Sequence, residues 1–97
     1  MNAFKAFTAW LNSYLARRDL KIVDLQNDLQ DGTLLNSFLE IITNKKMRRW
    51  TAKPNSKIKM LENLSFGLTY IQHDMGVKLV GIGSEDIYNG SLKLILG

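Results

Sequence analysis

The sequence predicts an all-α domain. Three stretches repeat apolar residues at a helical period, no two segments are suited to pair as strands, and 97 residues are enough for one compact core. A chain of this length buries roughly two-thirds of its unfolded surface on folding. Apolar residues make up 45% and charged residues 23%, ordinary proportions for a soluble globular domain.

The first helix is expected over residues 2–17. Phe4, Phe7, Leu11, Tyr14 and Leu15 follow the i, i+3, i+4, i+7 rhythm, and Trp10 widens the stripe, so Phe7, Trp10 and Leu11 are expected to be largely core. Arg17 and Arg18 fall in its last turn, where cations suit the helix dipole. Residues 19–31 read as a connector: Ile22, Val23, Leu25 and Leu29 are spaced too irregularly for a helix and would tuck a loop under the core. Asp31-Gly32 is a turn signal, and Leu34, Leu35, Phe38, Leu39 and Ile42 mark a second helix over 32–43.

The only proline, Pro54, breaks the chain before Asn55 or Ser56, either of which can cap a third helix. Ile58, Leu61, Leu64, Leu68 and Ile71 set that helix at about 57–74, and Gly76 is placed to end it in a left-handed conformation. Val77–Val80 reads as an extended connector. Ser84 can cap a short helix with Glu85 and Asp86 in its first turn; Ser91 can cap a last one, with Leu92, Ile95 and Leu96 inward. That last helix is expected to be cut short at Gly97.

Composition excludes several chemistries. Without cysteine there are no disulfides, thiolate zinc sites or cysteine nucleophiles, which suits a reducing compartment. No metal cluster has ligand spacing, and Asp24, Asp28 and Asp31 lack the pattern of a calcium loop. Gly81, Gly83 and Gly90 form no phosphate-cradling loop. Ser13, Ser56 and Ser91 have only His73 to serve as a base, so no nucleophilic triad can be assembled. No cofactor and no enzymatic activity are expected. The opening Met1-Asn2-Ala3-Phe4-Lys5 lacks the apolar core of a signal peptide.

Charge is uneven. The net charge is +4, yet Lys45, Lys46, Arg48, Arg49, Lys53, Lys57 and Lys59 supply seven cations without an acid between them, and the remainder balances at −3. This segment, which includes Trp50, is either a solvated loop or a surface for an anionic partner: an acidic filament, phosphoinositide headgroups or nucleic acid. Nucleic acid is disfavoured, because Phe4, Phe7, Trp10 and Tyr14 lie on core spacing rather than forming a stacking platform.

Five blocks carry a family resemblance. Phe7-Thr8-Ala9-Trp10-Leu11-Asn12-Ser13-Tyr14-Leu15 resembles the F-T-x-W-x-N-x-x-L that opens type 1 calponin-homology domains. Asp28-Leu29-Gln30-Asp31-Gly32-Thr33-Leu34-Leu35 is similar to the family's D-L-x-D-G-x-x-L. Lys57 to Leu64 is similar to its long central helix. Val77–Gly83 and Asp86–Gly97 resemble its K-L-V-x-I and I-V-D-G-N-x-K-L-x-L-G blocks, with Ser91 in place of the family's asparagine. Order and spacing hold across nearly the whole chain, and Lys45-Lys46-Met47 is especially similar to filamins.

The resemblance implies a calponin-homology fold of four main helices plus short connecting helices, filling residues 1–97. It also implies a cytoplasmic, cytoskeleton-associated module that binds filamentous actin, as the first such domain of filamins and α-actinins does. Binding residues carried over by likeness are Lys5, Thr8 and Asn12 in the first helix, and Lys78, Ser84, Asn89 and Lys93 in the last blocks. The basic loop, Lys45, Lys46, Arg48, Arg49 and Lys53, would add contacts to actin or to phosphoinositide headgroups. A second calponin-homology domain or another protein chain is a further expected partner. The competing expectation is a lone domain serving as an adaptor in a signalling protein, such as a Rho-family exchange factor.

Overall fold

The computed structural model describes residues 3–47 and 49–90. Helix α1 spans Ala3–Leu15 and tightens into a 3-10 turn at Ala16–Arg18; α2 is the single turn Leu25–Asp28; α3 spans Thr33–Thr43; α4 spans Lys57–Thr69 and opens into a wide turn at Tyr70–Asp74; α5 is Ser84–Tyr88. Among the described residues there is no strand, and no helix is long and apolar enough to cross a membrane. The all-α class is therefore the observed one. Ser91, Leu92, Lys93, Ile95 and Leu96, expected in a last helix, lie outside the described residues.

Helix α4 is central, packed against α3 and α5, while α3 also packs against α1. Leu11 and Leu15 from α1, Phe38 and Leu39 from α3, Leu64 and Leu68 from α4, and Ile87 from α5 form one core with Ile22, Leu25 and Leu29 beneath it. Leu15 and Leu64 are 0% exposed. Truncating either to alanine would cost about 2–5 kcal/mol, because a close-packed core collapses only partly around the void.

Two glycines set the fit of α3 on α4. Gly32 precedes α3 with φ +79°, and a Cβ there would lie 2.6 Å from the Asn63 Cβ and 2.9 Å from the Leu64 nitrogen. A side chain would thus meet both a strained backbone and α4 itself. On the facing helix, a Cβ at Gly67 would come within 2.6 Å of Asn36 Oδ1. Asn63, 1% exposed, completes the joint: its Nδ2 donates to the Asp31 carbonyl at 3.0 Å and the Thr51 carbonyl at 2.8 Å, and its Oδ1 accepts the Thr51 N–H at 2.7 Å. The Asn63 carbonyl in turn accepts from Asn36 Nδ2 at 3.0 Å.

Helix ends follow local chemistry. Ser56 caps α4, its side chain accepting the Lys59 N–H at 3.2 Å. The wide turn closes when Met75 N–H donates to the Tyr70 carbonyl at 3.1 Å, five residues back, and Gly76 then takes φ +71°. Residues 77–80 are an extended connector, with Leu79 half-buried and Val80 exposed.

Several expectations need correction. Trp10 is 48% exposed rather than core. At 100° per residue it stands about 100° around α1 from Leu11, so it falls on the edge of the stripe. There its ring lies against Phe7, Tyr14 and Phe38 at centroid distances of 5.9, 5.6 and 5.2 Å. Ile58 is 70% exposed for the same reason, lying about 120° from Leu64 on α4. The connector contains a helix after all, the α2 turn. Asp24 caps it, accepting the Gln26 N–H at 3.1 Å, and Val23 points to solvent while Ile22, Leu25 and Leu29 are buried. Ser84 does not cap α5. Gly83 is the cap residue, and its N–H donates to the Asp86 carboxylate at 2.7 Å. Arg17 and Arg18 sit in the 3-10 turn rather than in α1.

Candidate functional site

The residues of interest lie in two places. At one end of α1, Lys5, Thr8 and Asn12 face Lys21, Val23 and Gln26 across an open groove of about 680 Å³. Lys5 is exposed, whereas Thr8 and Asn12 are half-buried. Asn12 is committed to the backbone opposite: its Oδ1 accepts the Ile22 N–H at 2.7 Å and its Nδ2 donates to the Ile22 carbonyl at 2.9 Å. Asp28 Oδ2 accepts the next two N–H groups, of Val23 at 2.8 Å and Asp24 at 2.9 Å. Three consecutive residues of the groove wall are thus held by side chains from α1 and α2.

The second expected segment approaches the same groove by way of α2. Gln30 Nε2 donates to the Tyr88 carbonyl at 3.2 Å, and a Cβ at Gly90 would lie 3.4 Å from the Gln26 carbonyl oxygen. The end of α5 therefore rests on α2, with exposed Asn89 in the turn beside it and buried Ile87 anchoring the helix. Ser84 opens α5 and is half-buried; Lys78 is exposed on the connector before it. Lys93 lies outside the described residues.

The basic loop stands at the other end of α1. A second hollow, lined by Arg18, Asn44, Lys45 and Lys46, opens there over Glu40. The groove runs along α1 from Lys5 to Asn12, and Arg18 lies beyond its C-terminal end. Lys45, Lys46, Arg49 and Lys53 are exposed, and Arg48 lies outside the described residues. The loop between them is tied down. Glu40, 5% exposed on α3, accepts the Met47 N–H at 2.7 Å, Trp50 Nε1 at 3.0 Å and Arg18 Nη1 at 2.8 Å. Met47 is itself buried, and Thr51 is held by Asn63. Arg49 takes φ +75° between these ties, a conformation rare for a side-chain-bearing residue and maintained only where its surroundings fix it.

Burial would push the Glu40 carboxyl up, but the hydrogen bonds from Trp50, Arg18 and the Met47 N–H, with the charge of Arg18, hold it below its ordinary value. Glu40 was not singled out by charge patterning, since most glutamates on helices are solvated. The available signal was its setting: a lone acid within Phe38-Leu39-Glu40-Ile41-Ile42, just before a run of cations. Asp24, Asp28 and Asp31 are likewise engaged. All three cap or brace the α2 region, Asp31 accepting from the Thr33 N–H at 2.9 Å and hydroxyl at 2.7 Å.

Comparison with known proteins agrees with this architecture. The profile of the calponin homology (CH) domain matches residues 1–97. Cortexillin-1 of Dictyostelium discoideum is 43% identical over 94 residues, which is 96% of this chain and 21% of that protein. Alpha-actinin-like protein 1 of Schizosaccharomyces pombe is 44% identical over 94 residues, 96% of this chain and 15% of that protein. Filamin-A of Drosophila melanogaster is 41% identical over 91 residues, 94% of this chain and 4% of that protein. The chain thus spans about a fifth or less of the length of these relatives. With the profile matched from end to end and the helices in the expected order, the chain belongs to the calponin homology domain family.

Proposed function

We propose that this domain is a non-catalytic module that binds filamentous actin within a cytoplasmic, cytoskeleton-associated cross-linking or scaffolding protein. One observation supports the reading most directly: Lys5 and Thr8 line a groove with Gln26, and the turn after α5 that carries Asn89 approaches Gln26 through Gly90. Two segments 80 residues apart in sequence would then contribute to a single filament-facing surface. Kinship with cortexillin-1, an alpha-actinin-like protein and a filamin supports the same partner. The basic loop adds exposed Lys45, Lys46 and Arg49, which would steer the domain toward an acidic filament. Phosphoinositide headgroups are a second partner suited to that loop, and a second CH domain or another chain would act beside it.

The test is co-sedimentation with filamentous actin across a salt series. The domain should pellet with filaments at low salt and progressively less as salt rises. Recovery in the supernatant at every actin concentration would instead favour the adaptor reading. Flotation with vesicles containing phosphoinositide, against neutral vesicles, separates the lipid contact from the filament contact.

A further inference from the structure

We infer that Val23 is the apolar anchor of the groove and that Asn12, expected as a contact residue, is instead the residue that positions it. The inference rests on the actin-binding reading and names the contact chemistry at that site.

Val23 is 81% exposed, above Val80 at 76% and Ile58 at 70%. An apolar side chain on a floppy loop would signify little, but this backbone is fixed on both sides. Asn12 grips Ile22 through both its N–H and its carbonyl, and Asp28 accepts the N–H groups of Val23 and Asp24. The flanking side chains Ile22 and Leu25 are driven into the core, at 1% and 5% exposure. Between them Val23 can only face outward. Valine is stiff at χ1, so little side-chain freedom remains to be lost on contact.

The surroundings define the partner. Lys5 and Lys21 line the same groove. Two carboxylates stand beside them: Asp24, which accepts the Gln26 N–H at 3.1 Å and Asn27 Nδ2 at 2.6 Å, and Asp28, which accepts the Val23 N–H at 2.8 Å. An apolar point within a rim of mixed charge fits a recess on the protein filament of the proposed function, where the valine forms the dry centre and Lys21 and Asp24 belong to the polar rim. Anionic headgroups would engage the lysines and leave the valine in water. Asn12 holds Ile22 with one N–H of its Nδ2 and one lone pair of its Oδ1, which fixes its amide facing the backbone opposite.

Actin co-sedimentation of the chain and four variants tests this. Val23→Thr keeps shape and removes apolarity; it should weaken binding about fivefold to tenfold with an unchanged melting temperature. Val23→Ile should bind within about twofold of the wild type. Asn12→Ala should weaken binding and speed hydrogen exchange at the Ile22 amide. The double variant should bind no worse than Asn12→Ala alone, because a displaced valine has nothing left to lose. Wild-type affinity in Val23→Thr, while the wild type itself binds, overturns the anchor and leaves the actin reading standing. Additive losses in the double variant overturn the positioning role of Asn12. A wild-type chain that never pellets overturns both readings together.

Discussion

The groove beside α1 and the loop after α3 both present lysines to solvent, yet they are built differently. In the groove, two polar side chains, Asn12 and Asp28, fasten three successive residues from outside the core and leave one apolar residue facing outward. In the loop, one buried carboxylate on α3 draws Met47, Trp50 and Arg18 inward, and the cations between are left exposed. The groove is therefore positioned by the Asn12 amide and by the carboxylate of Asp28, both only half-buried. The loop depends on a charged group that the core has had to accommodate. The difference predicts that the loop is the more fragile of the two under mutation and acid, and the groove the more specific in what it contacts.

Glu40→Ala breaks that comparison most severely. It removes the acceptor for two partly or wholly buried N–H donors, Met47 and Trp50, and should destabilise the domain by about 3 kcal/mol. The Arg18 pair contributes less, since its side chain is 42% exposed and can rehydrate. Thermal unfolding followed by circular dichroism measures the loss. Faster proteolysis between Lys45 and Lys53, without faster cleavage near Val23, would confine it to the loop. Acid should act through the same group. Its pKa is lower in the folded chain than the ordinary 4.5, so its contribution is fully present at higher pH and disappears as pH falls through the folded value. Glu40→Gln should remove that part of the acid sensitivity, and an unchanged pH profile would mean another carboxylate governs it.

This dependence also marks what the sequence could convey. Periodicity located α1, α3 and α4, because a buried stripe leaves its period in the chain regardless of partners. It assigns Trp10 to the core and counts Ile58 in the stripe of α4 because it weighs every apolar residue near the stripe equally, whereas burial falls away about 100° from the centre line. The α2 turn was invisible to it: one turn has no period, and its stability comes from Asp24, Asp28 and the packing of Leu25. The groove was legible as a set of residues but not as a mechanism. Lys5, Thr8 and Asn12 were reached through family likeness, while the engagement of Asn12 with Ile22 joins positions that no local pattern links. Glu40 and Asn63 were missed for a related reason, since a polar residue on a helix is ordinarily solvated and only tertiary contacts show which is buried.

Asn12→Ala is the intermediate case. Two hydrogen bonds at the half-buried edge of the core are lost, and the domain should lose about 1–2 kcal/mol by chemical denaturation. The change should fall short of Glu40→Ala, because it removes two neutral hydrogen bonds rather than a charged acceptor shared by three donors. If the two variants proved equally destabilising, the groove wall would be as much a part of the core as the loop root, and the contrast between the regions would fail.

Reversing Lys45, Lys46 and Arg49 to glutamate should have the smallest effect on stability. These side chains are exposed, and exposed charges contribute little to the folded state, so the melting temperature should stay close to that of the wild type. Binding is where the variant should differ, and salt separates its effect from that of Val23→Thr. Attraction between an exposed cation and an acidic filament is screened over about 8 Å at physiological ionic strength and about 3 Å at 1 M. The deficit of the reversed loop should therefore shrink as salt rises. Removing an apolar contact leaves a deficit that salt does not screen, so Val23→Thr should stay below the wild type across the series. Parallel salt dependences for the two variants would mean that both regions act through charge alone, and the valine would then be a bystander on a charged face.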